Sequence, residues 1–287
     1  MDFSRRELVH AGWSGDEKYR AWDSQGNSYF LRVCPLEKEE KLQKAFALQK
    51  QAADQGLPVS RPLELKLQDG KFLWVEEWLS GEMAEQVLPR LSQEEQYQMG
   101  VQAGNIAKAL HGLPGPPPQE SWEAHFNRKI DRKIQMYQEC PLHYDNGELF
   151  VNYLQDHRDL LKDRPQCVQH GDFHVGNMMI QGNTLFVIDF DRPDYGDPWE
   201  EFNRIVWCAQ LSPAFSSGLV DSYFHGTPPL LFWKLLALYI ANNTLGSLPW
   251  AIPFGEKEIT TMRNQAAEIL KWYDGMRNPI PTWYQSQ

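Results

Sequence analysis

The chain has 287 residues, 42% of them hydrophobic and 23% charged, with 28 basic against 38 acidic side chains and a formal net charge of −10. That is enough apolar material for one large domain or two small ones. The acidic balance excludes a general affinity for nucleic acid or anionic membrane and suits a cationic partner better.

The opening Met-Asp-Phe-Ser-Arg-Arg-Glu lacks the apolar stretch of a signal peptide. Cys34, Cys140, Cys167 and Cys208 are scattered without CxxC pairing, and read as reduced thiols of a cytoplasmic protein. Along the chain, 19–22 and 29–33 read as a hairpin around the turn residues 23–27, and Pro35 closes its second strand. Residues 37–55 are rich in Glu, Lys, Leu and Ala without Gly or Pro, predicting a helix that Gly56 terminates. A second strand pair, 63–67 and 72–78, surrounds Asp69-Gly70. Ser92 and Glu95 form a capping-box pattern ahead of a helix carrying Met99, Ala103, Ile106, Ala107 and Leu110 at helical spacing. Gly112 to Pro118 is a breaker-rich loop. Further helix follows, then short strands at 178–180 and 184–188 joined by Gln181-Gly182-Asn183, and helix again beyond Pro198. The apolar run 229–241 contains Lys234 and is too short to span a bilayer, so a buried helix is expected there.

Chemistry concentrates in His170-Gly171-Asp172-Phe173-His174-Val175-Gly176-Asn177 and in Val187-Ile188-Asp189-Phe190-Asp191. Asp172, Asn177 and Asp189 sit at the ends of apolar strands. Asp172 is placed to accept a proton from an attacking hydroxyl, and Asn177 and Asp189 offer the hard oxygen ligands that Mg²⁺ prefers. An oriented nucleophile and metal ions on the transferring oxygens are what phosphoryl transfer requires. The i, i+4 spacing of His170 and His174 raises zinc as a competing reading. Gly171 stands where a metalloprotease helix needs Glu, however, and Gly176 argues against a helix.

These two segments resemble the catalytic loop and metal-binding motif of the aminoglycoside phosphotransferase and choline kinase superfamily, distant relatives of the protein kinases. The likeness extends along nearly the whole chain. Residues 104–111, ending in Leu110-His111, resemble the family's helix before the catalytic region. Gly56-Leu57-Pro58-Val59-Ser60-Arg61-Pro62 resembles its connection from the first helix to the next strand. Gly196-Asp197-Pro198-Trp199-Glu200-Glu201-Phe202 resembles its Gly-Asp-Pro motif, with Glu201 where Asp is commoner.

The resemblance implies an α+β, bilobal protein-kinase-like fold. A small β-rich nucleotide-binding lobe spans 1–78, a hinge lies near 76–81, and a larger, mainly helical lobe over 79–287 carries catalysis and acceptor binding. Asp172 is then the catalytic base, Asn177 and Asp189 hold Mg²⁺, and His170 and Asp197 support the loop, with helix capping the alternative for Asp197. On the nucleotide side, Ser14 and the backbone amides near Gly15, in a Gly-x-x-Gly turn, meet the phosphates, and Lys18 is a second phosphate contact, with a solvated strand lysine the alternative. Arg32 replaces the strand lysine; its ion-pair partner is left open, with Glu37, Glu39 and Glu40 the nearest acids on the following helix. Glu76, Glu77, Trp78 and Leu79 form the hinge, whose backbone contacts do not separate ATP from GTP. Acceptor candidates are Asp191, Asp194, Glu200, Glu201, Glu268 and Asp274, with the aromatics Tyr195, Trp199, Trp207, Trp272 and Tyr273. A kanamycin-type aminoglycoside leads, so antibiotic resistance is one implied role; choline, homoserine or macrolide acceptors are the alternatives. A catalytically silent nucleotide-binding module is a further class. A protein kinase is disfavoured, because Asp191 replaces the Gly of Asp-Phe-Gly and no Ala-Pro-Glu follows.

Overall fold

A computed structural model describes residues 1–10 and 15–285. In chain order its elements are β1 (Arg5–Leu8), β2 (Glu17–Trp22), β3 (Ser28–Pro35), α1 (Glu39–Asp54), β4 (Pro62–Gln68), β5 (Lys71–Glu77), β6 (Glu82–Met83) and α2 (Ala84–Val87). Then come α3 (Gln93–His111), α4 (Trp122–Gln138), α5 (Glu148–Asp156), β7 (Cys167–Gln169), β8 (Met178–Gln181), β9 (Thr184–Val187) and β10 (Asp194–Gly196). The helices α6 (Ile205–Leu211), α7 (Pro213–Phe224), α8 (Leu230–Ala251) and α9 (Glu256–Trp272) complete the described fold. Two compact units emerge: Met1–Val87 with His170–Pro193, and Leu88–Gln169 with Asp194–Gln287. The segment bearing Asp172, Asn177 and Asp189 therefore clusters with the strand-rich unit.

In the first unit an antiparallel sheet runs in the order β1-β2-β3-β5-β4. Directly opposite residues share a face, and the register pairs Lys18 with Arg32 and Arg32 with Trp74. One face thus carries Arg32, Cys34, Phe72 and Trp74, and Cys34, Phe72 and Trp74 pack on Leu42 and Ala45 of α1. The opposite face buries Ala21, Leu31, Leu73 and Val75. The turn between β4 and β5 needs left-handed backbone twice in succession, at Asp69 (φ 51°) and Gly70 (φ 75°), which Asp-Gly supplies at little cost. Helix α1 stops where Gly56 takes φ 77°, as the sequence predicts. The hairpin β8–β9 closes against β6 in a second small sheet.

The second unit is helical apart from β7 and β10, which pair antiparallel with Asp194 opposite Gln169. The expected capping box at α3 forms. Ser92 Oγ accepts from Glu95 N at 3.3 Å and Glu95 Oε2 accepts from Ser92 N at 2.8 Å, a device that contributes about 1 kcal/mol. Gly100 lets α3 lie directly on α7, since a Cβ there would collide with the Phe215 carbonyl. Helix α8 is buried nearly all round, through Phe232, Trp233, Leu235, Leu236, Leu238, Tyr239 and Ile240; it contains the 229–241 run apart from its first residue and serves as the unit's central helix. Among the described residues no helix is long and apolar enough to cross a membrane.

Candidate active site

The loop after β7 is held by its first residue. His170 is fully buried. Its Nε2–H donates to the Ile188 carbonyl at 3.0 Å and its Nδ1 accepts from Asp172 N at 3.3 Å. Both ring nitrogens are thus committed to backbone, which fixes the tautomer and leaves neither for a metal. The ring also packs edge-on against Phe190, centroids 4.7 Å apart. His174 turns its Nδ1 to its own loop, accepting from Gly176 N at 3.1 Å. The i, i+4 histidines are therefore not a zinc pair. Gly171 adopts φ 80°, and a Cβ there would collide with the Arg192 carbonyl. Only glycine lets the loop cross that strand of backbone.

Asp172 follows with its side chain 17% exposed; Arg192 Nη1 lies 3.6 Å from Oδ2 and His174 Nε2 lies 3.5 Å from Oδ1. Asn177 ties the far end of the loop back. Its Nδ2 donates to the Asp172 carbonyl at 2.9 Å, while its own carbonyl accepts from Ile188 N at 3.0 Å. One amide is committed to the loop, so the Asn177 Oδ1 is turned away from that bond. Asp189 comes next, at φ 62°, a left-handed conformation that Asp tolerates better than most residues and that re-aims its side chain at the end of β9. Its carboxylate is 38% exposed and stands 3.9 Å from Arg32 Nη1. Asn177 Oδ1 and Asp189 supply oxygen only, the donor chemistry of Mg²⁺, which keeps several waters and phosphate oxygens and needs few protein ligands.

Arg32 is the hub of the strand face above α1. Nη2 donates to Asp16 at 2.7 Å and to Asp191 at 2.9 Å, with the guanidinium 5.5 Å from the Trp74 ring centroid. Lys38 reaches Asp16 at 2.6 Å and Lys41 reaches Asp191 at 3.0 Å. Helix α1 and the turn before it therefore add cations to the cluster, and the partner of Arg32 that the sequence left open is Asp16 with Asp191, none of Glu37, Glu39 and Glu40. Those three carboxylates are exposed, with Glu39 and Glu40 bonded to Gln43 and Lys44 on their own helix. Burial favours the neutral form of Asp16 and Asp191, but their bonds and charges to Arg32 and the lysines outweigh it and hold both carboxyls below the ordinary range. Arg32 Nε is buried without a partner among the described residues.

Lys18, cross-strand from Arg32, is also buried. Gly15 precedes it at φ 68°, and Ser14 lies outside the described residues. Glu76 points into this unit's core, where burial raises its carboxyl pKa against the opposing bonds of Ser60 and Gln49 and the charge of Arg32. Glu77 is exposed, Leu79 half-buried, and Trp78 receives Arg20 over its ring at 4.6 Å.

In the helical unit, Asp197 is completely buried. Arg164 binds it through Nε and Nη2 at 2.6 and 2.9 Å, Tyr239 OH donates at 2.6 Å and Trp199 N at 2.9 Å. Its carbonyl accepts from Gln169, the residue before His170, at 2.7 Å. Asp197 therefore secures the strand that leads into the loop, and its bond to Trp199 N adds a local cap. The other candidates in this unit do not converge on one another. Asp194 accepts from Tyr195 N, Trp199 stacks on Arg164, Glu200 pairs with Lys129 and Glu201 faces His111. Glu268 accepts from Gln210, and Asp274 pairs with Arg277. Trp272 and Tyr273 are buried, while Trp207 is half-buried on α6. The sequence reading passed over Asp16, Lys38, Lys41 and Arg192. Only Arg192 carried a signal, its place directly after Asp189-Phe190-Asp191.

A strand-rich unit with a braced Asp-bearing loop, paired with a helical unit, is the protein-kinase-like α+β fold of the small-molecule phosphotransferases. The chain belongs to the phosphotransferase enzyme family, whose model matches residues 6–233. Solved structures agree on the fold. A choline/ethanolamine kinase family protein from Mesorhizobium loti aligns at TM-score 0.69 and 16% identity over 95% of this chain and 91% of its own. A thermostable mutant of aminoglycoside phosphotransferase APH(4)-Ia, in ternary complex with ADP and hygromycin B, aligns at 0.68 and 17% over 94% of each. Amicoumacin kinase hAmiN, in complex with AMP-PNP, Ca²⁺ and Ami, aligns at 0.67 and 12% over 97% and 90%. No curated protein matches the chain by sequence.

Proposed function

We propose that the protein transfers the γ-phosphoryl group of ATP or GTP to a hydroxyl of a small molecule, with Asp172 as the catalytic base. The observation that carries this reading is the tie from Asn177 Nδ2 to the Asp172 carbonyl, which joins the base and a metal-ligand candidate in one rigid loop. The acceptor hydroxyl donates to the Asp172 carboxylate and gives up its proton as its oxygen attacks the γ-phosphorus. The bond from that phosphorus to the bridging oxygen breaks, and the nucleoside diphosphate leaves. Asn177 Oδ1 and Asp189 would hold Mg²⁺, which neutralises charge on the phosphoryl oxygens when bound. Arg32, with its unpartnered Nε, and Lys18 meet the phosphates, joined by the backbone near Gly15 and Ser14, while the backbone of 76–79 contacts the base. His170 and Asp197 hold the loop without touching substrate. The family likeness supports an aminoglycoside of the kanamycin type as the first acceptor class to test, with antibiotic resistance as the role it would serve.

A coupled turnover assay with ATP and GTP, against aminoglycosides, macrolides, choline and amino-alcohols, tests the reading. Acceptor-dependent, Mg²⁺-dependent turnover that disappears in Asp172→Ala is expected. Absence of Mg²⁺-dependent nucleotide binding would overturn it.

A further inference from the structure

In a chain of net charge −10, one place in the helical unit gathers cations. Lys129, Arg132 and Lys133 lie at i, i+3 and i+4 on α4 and so share a face. Lys129 is held by Glu200 at 2.9 Å, and the acid between these residues, Asp131, is taken by Arg158 at 2.6 Å. Lys133 has no hydrogen bond and no ion pair among the described residues, although it is half-buried. Its stem and ammonium lie flat over Gly246 of α8, where a Cβ would collide with Nζ, Cε and Cδ together. Helix α8 therefore leaves room for this one side chain. Burial, then the charges of Arg132, Lys129 and Arg204, hold the Lys133 ammonium below the ordinary lysine range. One turn before Gly246 on the same helix, Asn242 is buried and its Oδ1 has no partner.

A half-buried ammonium set beside cations and held by no anion loses part of its hydration without an ion pair to offset it. Solvated lysines avoid such a position by swinging outward. A ligand oxyanion would remove the penalty, and the Asn242 Oδ1 would accept from a hydroxyl of the same molecule. Glu200, by holding Lys129, also lies 3.5 Å from the amide of Gln169, which precedes the His170 loop.

We infer that α4, α8 and the turn Glu200–Arg204 of the helical unit form an oxyanion-binding site centred on Lys133, which takes the carboxylate or phosphate group of a hydroxylated small molecule.

Thermal unfolding of the full chain without nucleotide, in inorganic phosphate, in acetate and in chloride at matched ionic strength, tests the pocket. Phosphate or acetate should raise the midpoint saturably over chloride, and whichever does so identifies the oxyanion. Lys133→Met, which keeps the aliphatic stem over Gly246, should abolish the rise, whereas Asp189→Ala should leave it in place. No rise in the wild-type protein overturns the pocket, as does a rise that survives Lys133→Met or disappears in Asp189→Ala. Loss of Mg²⁺-dependent nucleotide binding with the anion response intact would count against the kinase reading alone.

Discussion

Arg32 on β3 and Asp191, 159 positions later, are joined by a 2.9 Å bond from Nη2 to Oδ1. Asp16 takes the second hydrogen of the same nitrogen at 2.7 Å. The strand cation thus draws its counter-charges from the residue that leads into β2 and from the segment after β9, while α1 contributes Lys41 to Asp191. The arrangement sets the carboxylates of Asp16 and Asp191 against three cations, Arg32, Lys38 and Lys41, with Asp189 3.9 Å from the same guanidinium.

That balance makes the unit acid-sensitive. Asp16 and Asp191 both sit below their ordinary value of 3.8 when folded. Groups lowered by folding contribute stability that is fully present above the unfolded value and is lost as pH falls through the folded one. Thermal midpoints should therefore drop below about pH 4, and the drop should be shallower in Asp16→Asn than in the wild-type protein. Parallel slopes for the two proteins would show that this cluster does not contribute.

Asp172→Ala should reduce turnover by at least ~10²-fold, the scale of losing a general base. Nucleotide affinity, measured by calorimetry with Mg²⁺, should stay within a few fold. Wild-type turnover in the variant would remove Asp172 from the chemistry.

Asp189→Ala and Asn177→Ala should instead act on the triphosphate. Titration of nucleotide with and without Mg²⁺ is expected to show metal-dependent binding in the wild-type protein, lost in Asp189→Ala and weakened in Asn177→Ala. The smaller effect at Asn177 follows from chemistry, since a neutral amide oxygen binds a divalent cation less strongly than a carboxylate. An unchanged metal dependence in both would place the ion elsewhere.

Much of this was legible in the sequence where the signal is local. Ser92 with Glu95, Asp69-Gly70 between strands and Gly56 after a helix each specify backbone geometry within a few residues, and each forms as expected. The His170–Asn177 and Val187–Asp191 segments were recognisable because their residue types and order recur with the chemistry. The Arg32 cluster was not legible, since it depends on which of many acids folds back across 159 positions. Helical periodicity also gave no means of telling a carboxylate already held in an ion pair, buried as at Glu200 or exposed as at Asp274, from one awaiting a ligand.

Gly171→Ala tests the loop crossing. A methyl at φ 80° is strained by itself, and here it also collides with the Arg192 carbonyl. A loss of about 1–3 kcal/mol in urea unfolding is expected, together with a fall in turnover larger than that for an alanine at exposed Asn183. A stable and fully active variant would mean that the two backbones can part without consequence.

The sharpest stability prediction concerns Asp197, which is fully buried and holds Arg164 through two bonds and Tyr239 through a third. Removing one partner of a buried pair leaves the other charge without compensation, at a cost of about 3–5 kcal/mol. Asp197→Ala should therefore unfold at markedly lower urea, and replacing Arg164 with Met in that background should recover part of the loss. Tyr239→Phe removes a single hydrogen bond to a charged group and should cost about 1.5–3 kcal/mol. A double-mutant cycle between Asp197 and Arg164 isolates the pair. A coupling near zero would mean that Asp197 serves the helical unit through Trp199 and Tyr239 alone, and its loss would then be no larger than that of Tyr239→Phe plus one backbone cap.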